Sequence, residues 1–129
     1  GEKDFQQLFL VKKFIENKYK IKIISCKTIR DKNKVALSSR NHLLNNYNLK
    51  QAGMIANRVI KLRSQINKNK KKANHFIKKN KDIIKNEFNI KIEYLEARNT
   101  LNLNKKIYNN KYRVFIAYYL NKVRLIDNF

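Results

Sequence analysis

The chain has 129 residues, enough to form one domain with its own core, and its formal net charge is +22. It contains no run of about eighteen apolar residues, which excludes a membrane-spanning helix, and its one Cys excludes a disulfide framework. The two Gly are at positions 1 and 53, too far apart for a P-loop and too few for a Gly-x-Gly-x-x-Gly turn. Because the chain starts at Gly1, inside a motif and without Met, we expect a fragment of a longer cytoplasmic protein.

A high positive charge is typical of proteins that bind nucleic acid or an anionic surface. In this chain, however, Lys far outnumbers Arg, and the lysines are spread over every segment. Lys, Asn and Ile are all abundant and all have A/T-rich codons, so we interpret the charge as the result of a biased genome. The densest run, Lys68 to Lys72, is then a solvated face that binds polyanions weakly. A basic nucleic-acid-binding module is the alternative.

The first element is predicted to be a turn that enters an amphipathic helix, from Gly1 to about Lys18. Apolar residues form a wide stripe along this helix, and charged residues fall elsewhere. The turn therefore lies at a helix N-terminus, where free N–H groups and the helix dipole favour a bound anion. Asp4 is also of a type that can cap the helix. The stripe consists of Phe5, Leu8, Phe9, Leu10, Val11, Phe14 and Ile15.

The next segment, Ile21 to Cys26, alternates and then becomes continuously apolar, which predicts a strand buried largely on both faces. A helix followed by such a strand is typical of a parallel nucleotide-binding sheet, where ligands bind beyond the C-terminal ends of the strands. Cys26 is interpreted as a small buried residue of a protein from a reducing compartment.

The segment Val35 to Asn41 shows no helix or strand periodicity and is predicted to be a loop. It offers two hydroxyls, a guanidinium and a carboxamide in succession, and a loop can direct several such groups toward one ligand. A polyphosphate suits this set best, because Arg40 can bind two oxygens at once. On these residues alone, a solvated turn is the more common use of a serine pair before an arginine.

The rest of the chain is predicted to contain two helices and three strands. Asn45 or Asn46 can cap a helix that reaches about Ile66, and a second helix runs from Ala73 to about Phe88. Asn121-Lys122 is the turn of a hairpin between the last two strands. The inner face of the first helix consists of Leu49, Ala52, Ile55, Ala56, Val59 and Ile60. The strands cover Ile90 to Ala97, Tyr112 to Leu120 and Val123 to Ile126.

Other kinds of site find little support in the sequence. His42 and His75 lie in different segments and lack further ligands at zinc spacing. Neither serine of the loop has a His–carboxylate pair that the sequence can place. The aromatic residues of the last strands could stack on bases, but packing in a core is their commoner use. These aromatic residues are Tyr112, Phe115, Tyr118 and Tyr119.

Four motifs follow one another in a characteristic order. They are Gly1-Glu2-Lys3-Asp4-Phe5-Gln6-Gln7, Thr28-Ile29-Arg30, Ala36 to Asn41, and Arg124-Leu125-Ile126-Asp127-Asn128. In this order and spacing they closely resemble the pantoate–β-alanine ligases, the pantothenate synthetases, over the whole chain. The resemblance implies an α/β fold. Residues 1–29 would be the helix and parallel strand that end a Rossmann-like nucleotidyltransferase domain. Residues 30–129 would be a small C-terminal α+β domain with two helices and a three-stranded antiparallel sheet.

The resemblance also implies a reaction. The intact protein would condense pantoate with β-alanine through a pantoyl adenylate, using ATP with Mg²⁺ and releasing AMP and pyrophosphate. It would be a homodimer with no specific nucleic acid and no membrane as partner. The family's His-x-Gly-His motif lies upstream, so no catalytic residue is assigned in this chain, its metal ligands are unknown, and the chain alone would be a poor catalyst or none.

The site residues that the resemblance implies fall into two groups. Gln7 would hold pantoate, Lys3 would meet phosphate, Asp4 could serve the ribose, and Ile29 would meet adenine through its backbone. The full set that would bind ATP is Gly1, Glu2, Lys3, Asp4, Ile29, Leu37, Ser38, Ser39 and Arg40.

Three positions depart from the family pattern. The family usually has Pro at Lys27 and Gly at Lys34, and it prefers Gly near Asn121, where Asn tolerates positive φ well.

A decayed, non-catalytic remnant of the ligase is a further alternative. Intact Lys3 and Arg40 argue against it, as does Gln7.

Overall fold

The computed structural model describes residues 1–107 and 111–129 and confirms the predicted first helix. A 3₁₀ turn at Glu2–Asp4 leads into helix α1 at Phe5–Val11. The helix continues as a π-helical turn over Lys12–Glu16 and a last short α-helical piece at Asn17–Tyr19. It ends where Lys20 takes a left-handed conformation, with φ of 51°. The motif residues that precede Phe5 therefore lie at a helix N-terminus, as predicted.

Helices α2 at Asn46–Lys68 and α3 at Ala73–Phe88 also form close to where they were predicted. Asn45 is the N-cap of α2, since its side-chain Oδ1 accepts a hydrogen bond of 2.8 Å from the backbone N–H of Asn48. The prediction for Ile60 is wrong: this side chain is 40% exposed, because the buried face of α2 turns toward Leu62 and Ile66 instead.

The three predicted strands form one antiparallel sheet, in the order β1-β2-β3. They are β1 at Lys91–Asn99, β2 at Tyr112–Leu120 and β3 at Val123–Asn128, and β3 is an edge strand. Both β1 and β3 continue two residues beyond the prediction, because backbone pairing extends past their apolar residues to polar ones. Asn121 has φ of 54°, which confirms the hairpin turn that was expected there.

The core lies between one face of this sheet and the helices α2 and α3. Alternate residues of β2, such as Val114 and Ile116, point toward the helices and are fully buried. Phe115 points to the opposite face, where its ring centroid lies 5.9 Å from that of Phe5 in α1. Tyr112 and Tyr118 are buried together with Phe115, so core packing is their observed use.

The segment Ile21 to Cys26 is the one predicted element that does not form. It is assigned no strand, Ile24 is 82% exposed, and the Cys26 that was expected to be buried is exposed as well. A strand needs a hydrogen-bonded neighbour, and none of the described strands lies beside this segment. Its observed ties are to the first helical region, where Cys26 O accepts from Glu2 N at 2.8 Å.

The apolar stripe of α1 is likewise only partly covered, since Leu10 and Phe14 are more than half exposed. Within the described residues, no helix is both long enough and apolar enough to cross a membrane.

Candidate functional site

Two segments that are distant in sequence meet at the N-terminus of α1. One is the Lys3 turn, residues 1–4, and the other is the serine–arginine loop, residues 35–41. Lys3 Nζ donates a hydrogen bond of 3.3 Å to Leu37 O, which spans 34 positions of sequence. The structure therefore brings the first and third motifs together.

The ammonium group of Lys3 lies in a strongly charged environment. Partial burial is the main reason why the pKa of Lys3 is lowered, and the guanidinium groups of Arg40 and Arg30 lower it further. The carboxylates of Asp4 and Asp127 oppose this shift. A bound anion would favour the charged form of Lys3.

The chain approaches the serine–arginine loop through a narrow hairpin-like turn. Arg30 and Ala36 form an antiparallel bridge, and Leu37 N donates to Ile29 O at 2.9 Å. Inside the turn, Asp31 Oδ1 accepts from the backbone N–H groups of Asn33 at 2.8 Å and Val35 at 2.9 Å. These bonds fix the direction in which the loop leaves the turn.

Within the loop, the two serines differ in their surroundings. Ser38 Oγ accepts from Arg40 N at 3.2 Å and caps the 3₁₀ turn Ser39–Leu43, whereas Ser39 is exposed. Arg40 is exposed too, and its Nη1 donates to Arg124 O at 3.4 Å. The geometry therefore leaves the Ser39 hydroxyl and most of the Arg40 guanidinium facing solvent, where a ligand can reach them.

Gln7 lies one helical turn beyond the Lys3 turn, beside a cavity of about 160 Å³. Lys3, Asp4 and Asp127 supply the charged part of its lining. Asp4 is the N-cap residue of α1, but its side chain makes no capping hydrogen bond. The capping role that was open to Asp4 is therefore not observed, and Asp4 lines the cavity instead. The apolar lining consists of Phe5, Tyr94, Phe115 and Ile126.

Two further residues of the predicted ATP-binding set, Glu2 and Ile29, also have structural partners. The carboxylate of Glu2 forms an ion pair of 2.8 Å with Arg113, so its side chain fixes the turn to β2. The carbonyl of Ile29 accepts the Leu37 N–H, while the Ile29 side chain is 71% exposed. Gly1 is exposed at the start of the turn.

Sequence reasoning assigned no role to the residues that support the site. Arg30 and Asp127 form a two-pronged ion pair with N–O distances of 2.6 and 2.8 Å. Asn128 donates to the carbonyls of Glu2 and Lys3. These residues belong to the second and fourth motifs, so their presence in those motifs was the signal that could have pointed to them.

A larger concavity of about 710 Å³ runs along α1, next to Leu8 and Phe9. It shares only Glu2 and Phe5 with the four motifs, whereas the smaller cavity is lined by Lys3, Asp4 and Gln7 of the first motif and by Asp127 of the fourth. In the part of the chain that the structure describes, no group of three or more His, Cys, Asp or Glu could hold a metal ion.

Comparison with known proteins identifies the family. The model of the family described as pantoate-beta-alanine ligase matches residues 1–129. The chain belongs to this family. Among its curated relatives, the pantothenate synthetase of Flavobacterium psychrophilum is 38% identical over 132 residues, which cover 99% of this chain and 46% of that protein. That of Ruminiclostridium cellulolyticum is 34% identical, covering 100% and 47%. The chain thus spans about half the length of these pantoate–β-alanine ligases.

Solved structures of the family agree with the fold. Pantothenate synthetase from Thermus thermophilus superposes over the whole chain and 47% of its own, with a TM-score of 0.86 at 23% identity, which confirms the predicted fold class. The ligase from Francisella tularensis, described as complexed with β-γ ATP and β-alanine, gives a TM-score of 0.62 at 31% identity. It covers all of this chain and 41% of its own.

Proposed function

We propose that this chain supplies one half of the active site of an ATP-dependent ligase that joins pantoate to β-alanine. In the first step, a carboxylate oxygen of pantoate attacks the α-phosphorus of ATP, and pyrophosphate leaves. In the second step, the β-alanine amine attacks the acyl carbon of the pantoyl adenylate, loses a proton and displaces AMP. The first step needs no general base, because the attacking carboxylate already carries the charge.

The first step places negative charge on the α-phosphate and the departing pyrophosphate. Lys3 and Arg40 would offset this charge from two sides, with the Ser38 and Ser39 hydroxyls as further donors. The contact of 3.3 Å between Lys3 Nζ and Leu37 O is the observation that carries this proposal. Because the two motifs lie next to each other, one polyphosphate can reach both.

Gln7 would orient the pantoate. A carboxamide donates and accepts at once, which suits a hydroxy acid, and Lys3 lines the same cavity as Gln7. Gly1 would contribute through the backbone of the turn, which Glu2 holds in place, Asp4 would receive the ribose hydroxyls, and the backbone of Ile29 and Leu37 would meet the adenosine. Holding acid and α-phosphate in line is the main contribution that such residues make to the rate.

The remaining parts of the proposal concern the complete protein. Mg²⁺ would be held mainly by the phosphates of ATP, as is usual for this ion. The ligase would be a cytoplasmic homodimer, and residues outside this chain would contact the triphosphate. The chain by itself would therefore turn over slowly or not at all.

A chimera tests the proposal. This chain replaces the matching half of the Flavobacterium psychrophilum relative, and pantoate-dependent formation of AMP is measured. We expect Arg40→Ala to lower the rate by about a hundredfold, the usual scale for losing a charged transition-state donor. Arg40→Lys should recover only part of the rate, because one ammonium cannot reproduce a two-pronged contact.

Arg58→Ala is the matched control. Arg58 is a partly exposed arginine of α2 that forms an ion pair with Glu87 in α3, away from the motifs. It should leave AMP formation unchanged. An Arg40→Ala chimera that works at the unmodified rate would remove Arg40 from the mechanism.

A further inference from the structure

The last two residues of β3 each contact a different segment of the candidate site, either the Lys3 turn or the turn that leads to the serine–arginine loop. Asn128 is only 3% exposed, and all of its side-chain polar atoms are engaged. Its Nδ2 donates to Glu2 O at 2.9 Å and to Lys3 O at 2.8 Å, and its Oδ1 accepts from Arg113 Nη1 at 2.6 Å. Arg113 in turn holds the Glu2 carboxylate at 2.8 Å. The Lys3 turn is therefore fixed to the sheet by its backbone as well as by a side chain.

Asp127 holds the other half. Both of its carboxylate oxygens accept from Arg30, whose guanidinium also donates to Lys34 O at 2.8 Å and to Asn128 O at 3.0 Å. The guanidinium carbon of Arg30 lies 4.4 Å from the ring centroid of Phe129. Arg30 thus clamps the turn from which the serine–arginine loop emerges.

Strand geometry explains how neighbouring residues can reach both segments. Successive side chains of a strand point to opposite faces of the sheet. Asn128 pairs with Phe115, which faces α1, and Asp127 pairs with Ile116, which faces α2 and the core. Ile116 is 1% exposed, so this part of the sheet is anchored in the hydrophobic core.

We propose that Asp127 and Asn128 are positioning residues, which hold the Lys3 turn and the serine–arginine loop at the separation that a polyphosphate requires. This inference rests on the proposed function. Neither residue needs to touch the reacting atoms. Asn128 donates a hydrogen bond to the backbone carbonyl of Lys3, whose ammonium would contact the ligand. Asp127 binds Arg30, which in turn holds the turn at the base of the loop.

The test compares two isosteric changes in the chain as it stands. Asn128→Asp removes both Nδ2 donors and places a carboxylate against two carbonyl oxygens. Asn80→Asp in α3 is the matched control, because Asn80 is also buried and its Nδ2 also donates twice, to Gln65 Oε1 at 3.1 Å and Phe76 O at 2.8 Å. It lies far from the site in sequence and on another element. Each variant is compared with the unmodified chain by amide hydrogen exchange and by calorimetric titration with ATP at ~0.15 M salt.

We expect Asn128→Asp to speed exchange in residues 1–7 and to weaken ATP binding about tenfold, a usual loss for a positioning partner of charged ligand contacts. Asn80→Asp should leave the exchange of residues 1–7 unchanged and the ATP affinity within about twofold of the unmodified chain. Asp127→Asn should instead speed exchange in residues 29–37, since it weakens the grip on Arg30.

Other outcomes would overturn the positioning role or the proposed function. Equal weakening of ATP binding by Asn128→Asp and Asn80→Asp, or faster exchange spread evenly over the sheet, overturns the positioning role. Because the chain is only half of the proposed active site, a chain that binds no ATP by itself is retested in the Flavobacterium psychrophilum chimera, and a chimera that binds no ATP contradicts the proposed function. In that case local release of residues 1–7 by Asn128→Asp still supports the clamp, and unchanged exchange there overturns it. If Asn128→Asp does not fold, Asn128→Ser is measured against Asn80→Ser in the same way.

Discussion

Lys34 adopts a backbone conformation that an L-residue with a long side chain rarely takes. Its φ is 72°, in the turn that leads to the serine–arginine loop, and its carbonyl accepts from Arg30. The pantoate–β-alanine ligases usually have Gly at this position. A lysine in place of the family's usual Gly therefore introduces strain, since a left-handed conformation costs a non-glycine residue on the order of 1–2 kcal/mol.

We predict that Lys34→Gly raises the free energy of unfolding by about 1 kcal/mol, after the larger entropy of an unfolded Gly offsets part of the relief. Denaturation in urea measures this change. Asn121→Gly is the control, because Asn121 has a similar φ of 54° but Asn tolerates that region better. Its gain should be smaller. A loss of stability in Lys34→Gly would show that Lys34 is not strained, and an equal gain in Asn121→Gly would show that Lys34 is no more strained than Asn121.

The sequence predicted which side chains would be available to a ligand, but not which residues fix those side chains in place. Lys3 and Arg40 stand in local motifs whose chemistry can be recognised residue by residue. The support from Asp127 and Asn128 joins positions that are 97 to 126 apart in sequence. No local period or spacing carries information about such pairs, so only the folded chain shows them.

Helix α2 contains one glycine, and its lack of a side chain lets the loop approach. A Cβ on Gly53 would lie 2.8 Å from Asn33 Cβ and 3.0 Å from Asn33 O. Asn33 belongs to the turn whose geometry Asp31 fixes through its side chain. Gly53 is thus a contact point between the helix and the base of the serine–arginine loop.

Gly53→Ala should destabilise the chain, although alanine inside a helix is favoured over glycine by about 1 kcal/mol. The added methyl group must push away a backbone carbonyl, and overpacking of this kind typically costs about 1–3 kcal/mol. Thermal unfolding measures the net effect. Gly53→Ala combined with Asn33→Gly should recover part of the loss, because the nearest contact is then removed. A stabilised Gly53→Ala would mean that the turn moves aside freely.

Elements were predictable where local and tertiary signals agree. The Asn45 cap and the apolar period of α2 both indicate the helix that forms, and the strand-like run of β2 is satisfied by a neighbouring strand on each side. Ile21 to Cys26 has an equally clear apolar pattern, yet it lacks a neighbouring strand among the described residues. Periodicity shows that a segment is able to pack inside a sheet. Whether it becomes a strand depends on neighbouring strands, which other residues must provide.

The whole molecule carries a charge of +22, and its lysines are interpreted as replaceable surface. The run Lys70–Lys72 forms a short 3₁₀ turn between α2 and α3. Helix α2 has 23 residues and is therefore roughly 35 Å long, with the serine–arginine loop just before its start and the lysine run just after its end. Gly53, which touches the turn at the base of that loop, lies 15 residues before the end of α2, or roughly 22 Å along the helix, which is more than twice the Debye length of about 8 Å at physiological salt.

Changing Lys70, Lys71 and Lys72 together to Gln should leave the affinity for ATP within about twofold at ~0.15 M salt, because the charges are screened from the site. The same change should weaken non-specific binding to DNA and lower its salt slope by about one for each phosphate that is no longer neutralised. Lys3→Gln, as the converse variant, should weaken ATP binding and hardly affect DNA binding. The reverse pattern would place the anion site among the surface lysines.

The central claim is that the Lys3 turn and the serine–arginine loop bind one polyphosphate together. Amide hydrogen exchange of the chain during a titration with ATP at ~0.15 M salt tests it most directly. We predict that residues 1–7 and residues 36–41 gain protection together, with the same midpoint, while residues 68–72 stay unchanged. Protection of only one of the two segments, or of the lysine run in their place, would contradict a shared site.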